Sequence, residues 1–391
     1  MSMDLPSRAE VVIVGGGING IALSYYLAKK GIQSVVFEKG YVTSGATGRC
    51  GGGIRQQWGT KENIILARES VKIFEKIGAE LEHPSVRFMQ GGYLVLAHTE
   101  EDVEQFKKNI KLQNSLDVPT KLVPADEIND IVPELDVEGA GAIAAAWNPT
   151  DGGIHPIPLT YAYLRKSMMM GTKLFRFTEV TGIEYEEKNG VKEIQAVKTT
   201  KGTVRTNVVV NAAGKNSVDI AKMVGVELPN KPYRHEILAL EPTKMFLKPM
   251  IISFRDNIYF RQTMLGDIIG GWSDPNEPPN PSYESTFKFA VEFTKRLTRY
   301  MPILSTINVI RQWAGSYDTT PDHKPILGKT PGVSDMIQIN GFSGHGLMLA
   351  PITAVLMAEL IEGKKPHIDI DWLSIERFKS GKIEKEKFAV G

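Results

Sequence analysis

Cysteine is almost missing from this 391-residue chain: Cys50 stands alone. That excludes an internal disulfide and a Cys/His metal cluster, so no metal site is expected, and a reducing, cytoplasmic location fits. Neither charge is in excess: 46 Lys plus Arg stand against 45 Asp plus Glu, for a net charge of +1. The basic surplus of a nucleic-acid binder is therefore lacking. No run of about 18 apolar residues offers a membrane span. The apolar stretch 11–28 is interrupted by clustered glycines and follows a leader with little charge, so it reads as a nucleotide fold rather than a signal peptide. Repeats and low-complexity tracts are absent as well.

The remaining composition is that of a soluble globular protein, with 42% hydrophobic and 23% charged residues. The length exceeds the roughly 250–300 residues at which one core stops growing, so two domains are expected.

The chain is organised around residues 10–40. Val11-Val12-Ile13-Val14 has the composition of a buried parallel strand. Gly15, Gly17 and Gly20 then form G-x-G-x-x-G, and Ile18, Ile21, Ala22 and Tyr25 recur at helical spacing. A second apolar run, Val35-Val36-Phe37, ends at Glu38. Gly15 permits the tight turn, Gly17 the approach of a pyrophosphate, and Gly20 close packing of helix on strand. The free N–H groups of the helix start face the anion, and Glu38 suits the ribose hydroxyls. Strand, glycine turn, helix and acid at this offset make a strong dinucleotide signal.

A second glycine-rich loop runs from Thr43 through Ser44, Gly45, Ala46, Thr47, Gly48, Arg49, Cys50, Gly51, Gly52, Gly53 and Ile54 to Arg55. Its small hydroxyl residues and exposed N–H groups suit phosphates and a flat ring. Helices are expected over 61–77, 100–113, 159–170, 287–300 and 347–361, with a helix start at 124–128. Strands are expected over 86–96 around Gly91-Gly92, within 173–210, within 233–272 and over 311–322 and 336–339. Val208-Val209-Val210-Asn211-Ala212-Ala213-Gly214 reads as a buried strand ending in small residues, against which a flat ligand can lie. Gly341-Phe342-Ser343-Gly344-His345-Gly346, between a short strand and the apolar helix from Leu347, is a second glycine loop leading into a helix.

Together these segments resemble the D-amino-acid oxidase-like family of FAD-dependent amine oxidoreductases. The matching pieces are 11–38, 44–55, 208–214, the run Thr320-Pro321-Asp322-His323-Lys324-Pro325-Ile326-Leu327-Gly328, and 341–351. Within the family the likeness is to β subunits of heteromeric sarcosine oxidases and dye-linked L-proline dehydrogenases, through Gly-Arg-x-Gly-Gly-Gly-Ile-Arg-Gln-Gln and Phe-Ser-Gly-His-Gly. The resemblance implies an α/β fold: a discontinuous Rossmann-like FAD domain over 1–85, 148–230 and 318–391, and a substrate domain on a mixed sheet over 86–147 and 231–317. It implies FAD contacts from Val14, Gly15, Gly17, Ile18, Asn19, Gly20, Glu38, Lys39, residues 44–47, Arg49, residues 51–54, Val180, Ala212, Ala213, Gly214, Gly315, Gly341, Ser343, Gly344, His345, Gly346 and Leu347.

Three departures from relatives stand out. Gly315 occupies the place of a cysteine that links FAD, so the cofactor is expected to be non-covalent. Met348 replaces a lysine that contacts a substrate carboxylate. Ile157 stands where some heteromeric relatives link FMN to a histidine, with His155 nearby, which argues against a covalent FMN and leaves a bound one open.

The implied reaction is oxidation of a C–N bond in a small amine or amino acid, by hydride transfer from the α-carbon to flavin N5, leaving an imine. N–H groups from Gly344 to Leu347 suit negative charge on the reduced ring. Arg55 is a candidate carboxylate clamp or a flavin buttress. His345 faces the flavin or is satisfied by backbone, and Tyr259, His235 and Arg261 face either substrate or sheet surface. Trp272, Trp313 and Tyr317 read as core. The implied assembly is a catalytic β subunit passing electrons to partner subunits. A self-sufficient peroxide-forming oxidase, an NAD-dependent dehydrogenase and a non-catalytic flavin-fold binder are the alternatives.

Overall fold

The fold, a computed structural model, is described for residues 4–380. At its centre lies the strand Val11–Val14, with all four residues buried. It pairs in parallel with Ser34–Glu38 on one side and Val208–Asn211 on the other. Ser34–Glu38 continues to Lys173–Arg176, and Val208–Asn211 to Met336–Asn340; an antiparallel edge strand, Ile326–Lys329, completes the six. The apolar run at 11–14 serves two cores because side chains alternate across a strand. Val11 and Ile13 pack under helices Ile18–Lys29, Lys61–Phe74, Pro156–Met169 and Gly346–Ile361, whereas Val12 and Val14 pack on a second sheet that includes Val180–Lys188, Val191–Thr199 and Gly202–Arg205.

An eight-stranded mixed sheet draws its strands from residues 93–148 and 231–319, in the order Val309–Thr319, Lys231–Leu240, Ile268–Trp272, Ile258–Gln262, Met250–Ser253, Tyr93–Ala97, Ala144–Asn148, Lys121–Pro124. Met250–Ser253 and Tyr93–Ala97 run parallel and the other pairs antiparallel. Helix Phe287–Tyr300 covers one face. Thr286 caps it by accepting from the Phe289 N–H at 3.2 Å, and Phe289, Phe293, Leu297 and Tyr300 form its buried stripe at helical spacing. Truncating Phe293, fully buried in this stripe, would cost about 3–5 kcal/mol.

Two connections bring the parts together at the site. Val309–Thr319 begins at the edge of the eight-stranded sheet and ends in a bridge from Thr319 to Phe342 of the second glycine loop. Gly53–Ile54 pairs antiparallel with Gly152–Gly153.

Local differences from the expected elements have packing causes. Over 86–96 the strand begins only at Tyr93, because Met89 bridges to Gly153 and Gly91 lies so close to the Lys248 carbonyl that a Cβ would stand 2.2 Å from it. The helix start at 124–128 yields only a 3-10 turn, Ala125–Glu127, and a single turn, Ile128–Ile131.

Candidate cofactor cavity and active site

The first glycine turn is fixed by sterics. Gly15 has φ +116°, and a Cβ there would lie 2.4 Å from the Ala212 carbonyl oxygen; a Cβ on Gly20 would lie 2.2 Å from the Gly15 oxygen. Gly17 precedes the Ile18–Lys29 helix, whose first N–H, on Ile18, donates to Thr47 Oγ1 at 3.0 Å. Glu38 is buried, and its carboxylate accepts the Gly16 and Gly40 N–H groups, each at 2.7 Å. Those bonds aim the carboxylate and leave acceptor capacity for hydroxyls.

At the other end, Ser343 (φ +49°) and Gly344 (φ +91°) turn the chain into the Gly346–Ile361 helix. A Cβ on Gly344 would meet the Tyr317 ring at 2.4 Å, so only glycine admits this approach. Asp318 holds the loop: it accepts from the Gly341 N–H at 2.7 Å and from Asn230 Nδ2 at 3.0 Å, and burial pushes its carboxyl up to about 6. Tyr317 stacks on His235 with centroids 3.8 Å apart, and burial pushes the imidazole down to about 3.

Between these ends runs a cavity of about 460 Å3. Of the expected cofactor residues, Val14, Gly15, Gly17, Ile18, Asn19, Glu38, Lys39, residues 44–47, Arg49, Val180, residues 212–214, Gly315, Ser343, Gly344, Gly346 and Leu347 line it, as does His235. Gly20, residues 51–54, Gly341 and His345 stand outside that lining. Tyr259 lies outside it too, against Gly271, where a Cβ would stand 2.8 Å from its hydroxyl. Met348 belongs to the helical core, with its carbonyl accepting from Ser70 Oγ.

One reading changes. Tyr317, expected in the core, is cavity wall. Arg55, a candidate carboxylate clamp or flavin buttress, is 2% exposed and stands outside the cavity lining; it donates to the Gln57 carbonyl at 2.9 Å and packs over Trp58 at 4.4 Å. Trp58 in turn meets His345 edge-on at 4.5 Å. His345 is held well below the usual imidazole range by burial and the nearby Arg55 charge, so it is neutral.

A second enclosed guanidinium, Arg261, also stands outside the cavity lining. Its Nε donates to the Gly51 carbonyl at 2.8 Å, its terminal nitrogens pack on Gly52 and Gly153, and no carboxylate pairs with it among the described residues. Burial lowers its affinity for a proton. His155 lies in the Arg261 field, is kept below its usual range mainly by burial, and has an Nδ1 with no partner among the described residues; Ile157 is exposed and offers no nucleophile to link a flavin.

Tyr317, Asp318, Lys215, Tyr283 and Cys50 were not foreseen as wall. The Asp318 position just before Thr320-Pro321-Asp322 was the one available signal. Burial pushes the Cys50 thiol up to about 11, so it stays protonated.

The FAD dependent oxidoreductase (DAO) family matches residues 10–360. The chain belongs to that family. Its cofactor is FAD, and two features of the cavity fit it: no Cβ can enter the turn at Gly15, and the wall atoms Asn19 Oδ1 and Ser316 Oγ are buried with no partner among the described residues. Among relatives of this FAD-dependent oxidoreductase, the crystal structure of L-proline dehydrogenase from P. horikoshii superposes with TM-score 0.92 at 39% identity, covering 97% of this chain and all of the other. The sarcosine oxidase subunit beta of Rhodobacter capsulatus is 29% identical over 98% of this chain and 92% of its own. Glycine oxidase from Geobacillus kaustophilus, at 23% identity and TM-score 0.86, shares the fold. No helix among the described residues is long and apolar enough to cross a membrane.

Proposed function

We propose that this chain oxidises the C–N bond of a small amino acid, with L-proline the first candidate and sarcosine the second. The observation that carries the substrate class is Arg261, an enclosed guanidinium with no carboxylate partner among the described residues, one backbone bond from the loop between the cofactor cavity and Tyr259. A planar fork of this kind matches a carboxylate bidentately. The likeness to L-proline dehydrogenase over 97% of the chain supports the choice of amine.

Bound FAD supplies the acceptor for the hydride that leaves the α-carbon. The protein's own groups do the rest. N–H groups at the start of the Gly346–Ile361 helix offer positive potential to negative charge on a reduced ring. Arg261 positions the carboxylate, and its charge disfavours the ammonium form of the substrate relative to the neutral amine. His235 and His345, both held neutral, add no competing charge. The Tyr317–His235 stack and Gly344 form one side of the cavity wall.

Arg261→Met should raise KM for L-proline at least tenfold while FAD content stays normal, a charge-assisted pair contributing about 1.5–3 kcal/mol. An unchanged KM, or equal turnover of pyrrolidine, which lacks the carboxylate, would reject the assignment.

The electrons are proposed to leave through a partner subunit. Support comes from the subunit name of the Rhodobacter relative and from Met89, Ile157, Tyr161 and Met168, exposed apolar residues on or beside helix Pro156–Met169. Reduced protein purified alone should reoxidise slowly in air and quickly with an artificial dye; fast peroxide formation by the single chain would contradict this.

A further inference from the structure

Residues 273–286 leave the eight-stranded sheet and return to helix Phe287–Tyr300, with four prolines between 275 and 281. The base of this loop is anchored to the strand Lys231–Leu240. Asn280 N–H donates to the Pro232 carbonyl at 2.7 Å, Arg234 pairs with Glu277 at 2.9 Å, and Glu236 accepts from Thr286 Oγ1 at 2.9 Å. The tip does something else. Tyr283 reaches the cavity, where its ring meets two cations of the cavity wall: Lys215 Nζ at 3.8 Å and Arg49 Cζ at 4.1 Å from the centroid. Lys215 also donates to the Pro281 carbonyl at 2.5 Å.

We infer that Tyr283 is a positioning residue that latches the 273–286 loop across the FAD cavity and so retains the bound cofactor. Both cations approach the ring centroid, at 3.8 and 4.1 Å, so the contact is with the ring and not the hydroxyl. Lys39, Arg49 and Lys215 crowd three positive charges on that wall, and burial, with the repulsion of Lys39 and Arg49 added, lowers the Lys215 proton affinity. The cofactor's diphosphate brings negative charge into the same cavity and offsets that repulsion, so the latch holds better over FAD than over an empty cavity. Rigid prolines keep the loop from collapsing onto its base when the tip is free.

The inference concerns cofactor retention and stands whichever amine is oxidised. FAD release from the holoprotein, followed by the recovery of free-flavin fluorescence on dilution, is compared for Tyr283→Ala and Tyr283→Phe. The alanine variant should release FAD about tenfold faster and the phenylalanine variant within about two-fold of wild type, because Phe keeps the ring face. Cleavage after Glu284 by a glutamyl endoproteinase should be slowed by FAD in wild type and in Tyr283→Phe but not in Tyr283→Ala. Release from Tyr283→Ala at the wild-type rate, equal acceleration in both variants, or cleavage of wild type indifferent to FAD would overturn the inference.

Discussion

The side-chain amide of Asn19 donates to the carbonyl oxygen of Gly346 at 3.3 Å, joining residues 327 apart in sequence. It ties the first turn of helix Ile18–Lys29 to the first turn of helix Gly346–Ile361, the two N-termini that line the cofactor cavity. Asn19 Oδ1, on the same side chain, is buried without a partner among the described residues. One residue thus sets the spacing of two positive helix ends and keeps an acceptor ready for the cofactor. Asn19→Ala should weaken FAD binding by about 1 kcal/mol, roughly five-fold, in a fluorescence titration of the apoprotein. Unchanged affinity would show that the helix ends are spaced without it.

Glu38 and Cys50 predict how the cofactor is held. Glu38 is aimed by two backbone N–H groups, so Glu38→Ala should weaken FAD by roughly 1.5–3 kcal/mol in the same titration. Cys50 is on the cavity wall, yet its thiol is pushed up to about 11 and is therefore no thiolate nucleophile near neutral pH. Acid precipitation should release all the yellow colour into the supernatant, and Cys50→Ser should behave alike. Colour left in the pellet would show a covalent link.

How much of this was legible in the sequence depends on whether the backbone or the side chain does the work. Gly15, Gly17, Gly20 and Glu38 could be read because turn, approach and packing each need a particular residue type at a fixed offset. The direction of the Arg55 side chain could not be read for a converse reason. Arg55 lies in an irregular stretch with no periodicity to say which way a side chain points, and burial on Trp58 decides that direction. Tyr317 and Tyr283 were out of reach because an aromatic residue in a strand or a proline-rich loop reads the same whether it packs inward or faces a cavity. Only the pairing of Val309–Thr319 with Lys231–Leu240 sets Tyr317 beside His235.

Asp151 predicts a pH dependence. It is fully buried, accepts from Gln56 N–H at 2.8 Å, Asn148 Nδ2 at 2.9 Å and Gln57 Nε2 at 3.1 Å, and burial raises its carboxyl to about 7. Because the folded value lies above the unfolded one, the folded state binds the extra proton between about pH 4 and pH 7, and this group's contribution to stability falls as pH rises through that window. Asp151→Asn removes the titration. The melting temperature of the variant relative to wild type should therefore climb steadily from acid to neutral pH. A constant difference across the window would show that Asp151 titrates normally.

The central claim is tested most directly by adding L-proline to the purified yellow protein without oxygen and following the flavin absorbance. The account predicts that L-proline bleaches the oxidised flavin and leaves a cyclic imino acid, with sarcosine second and pyrrolidine ineffective. Absorbance unchanged by every amino acid tried, with FAD bound in full, would contradict it.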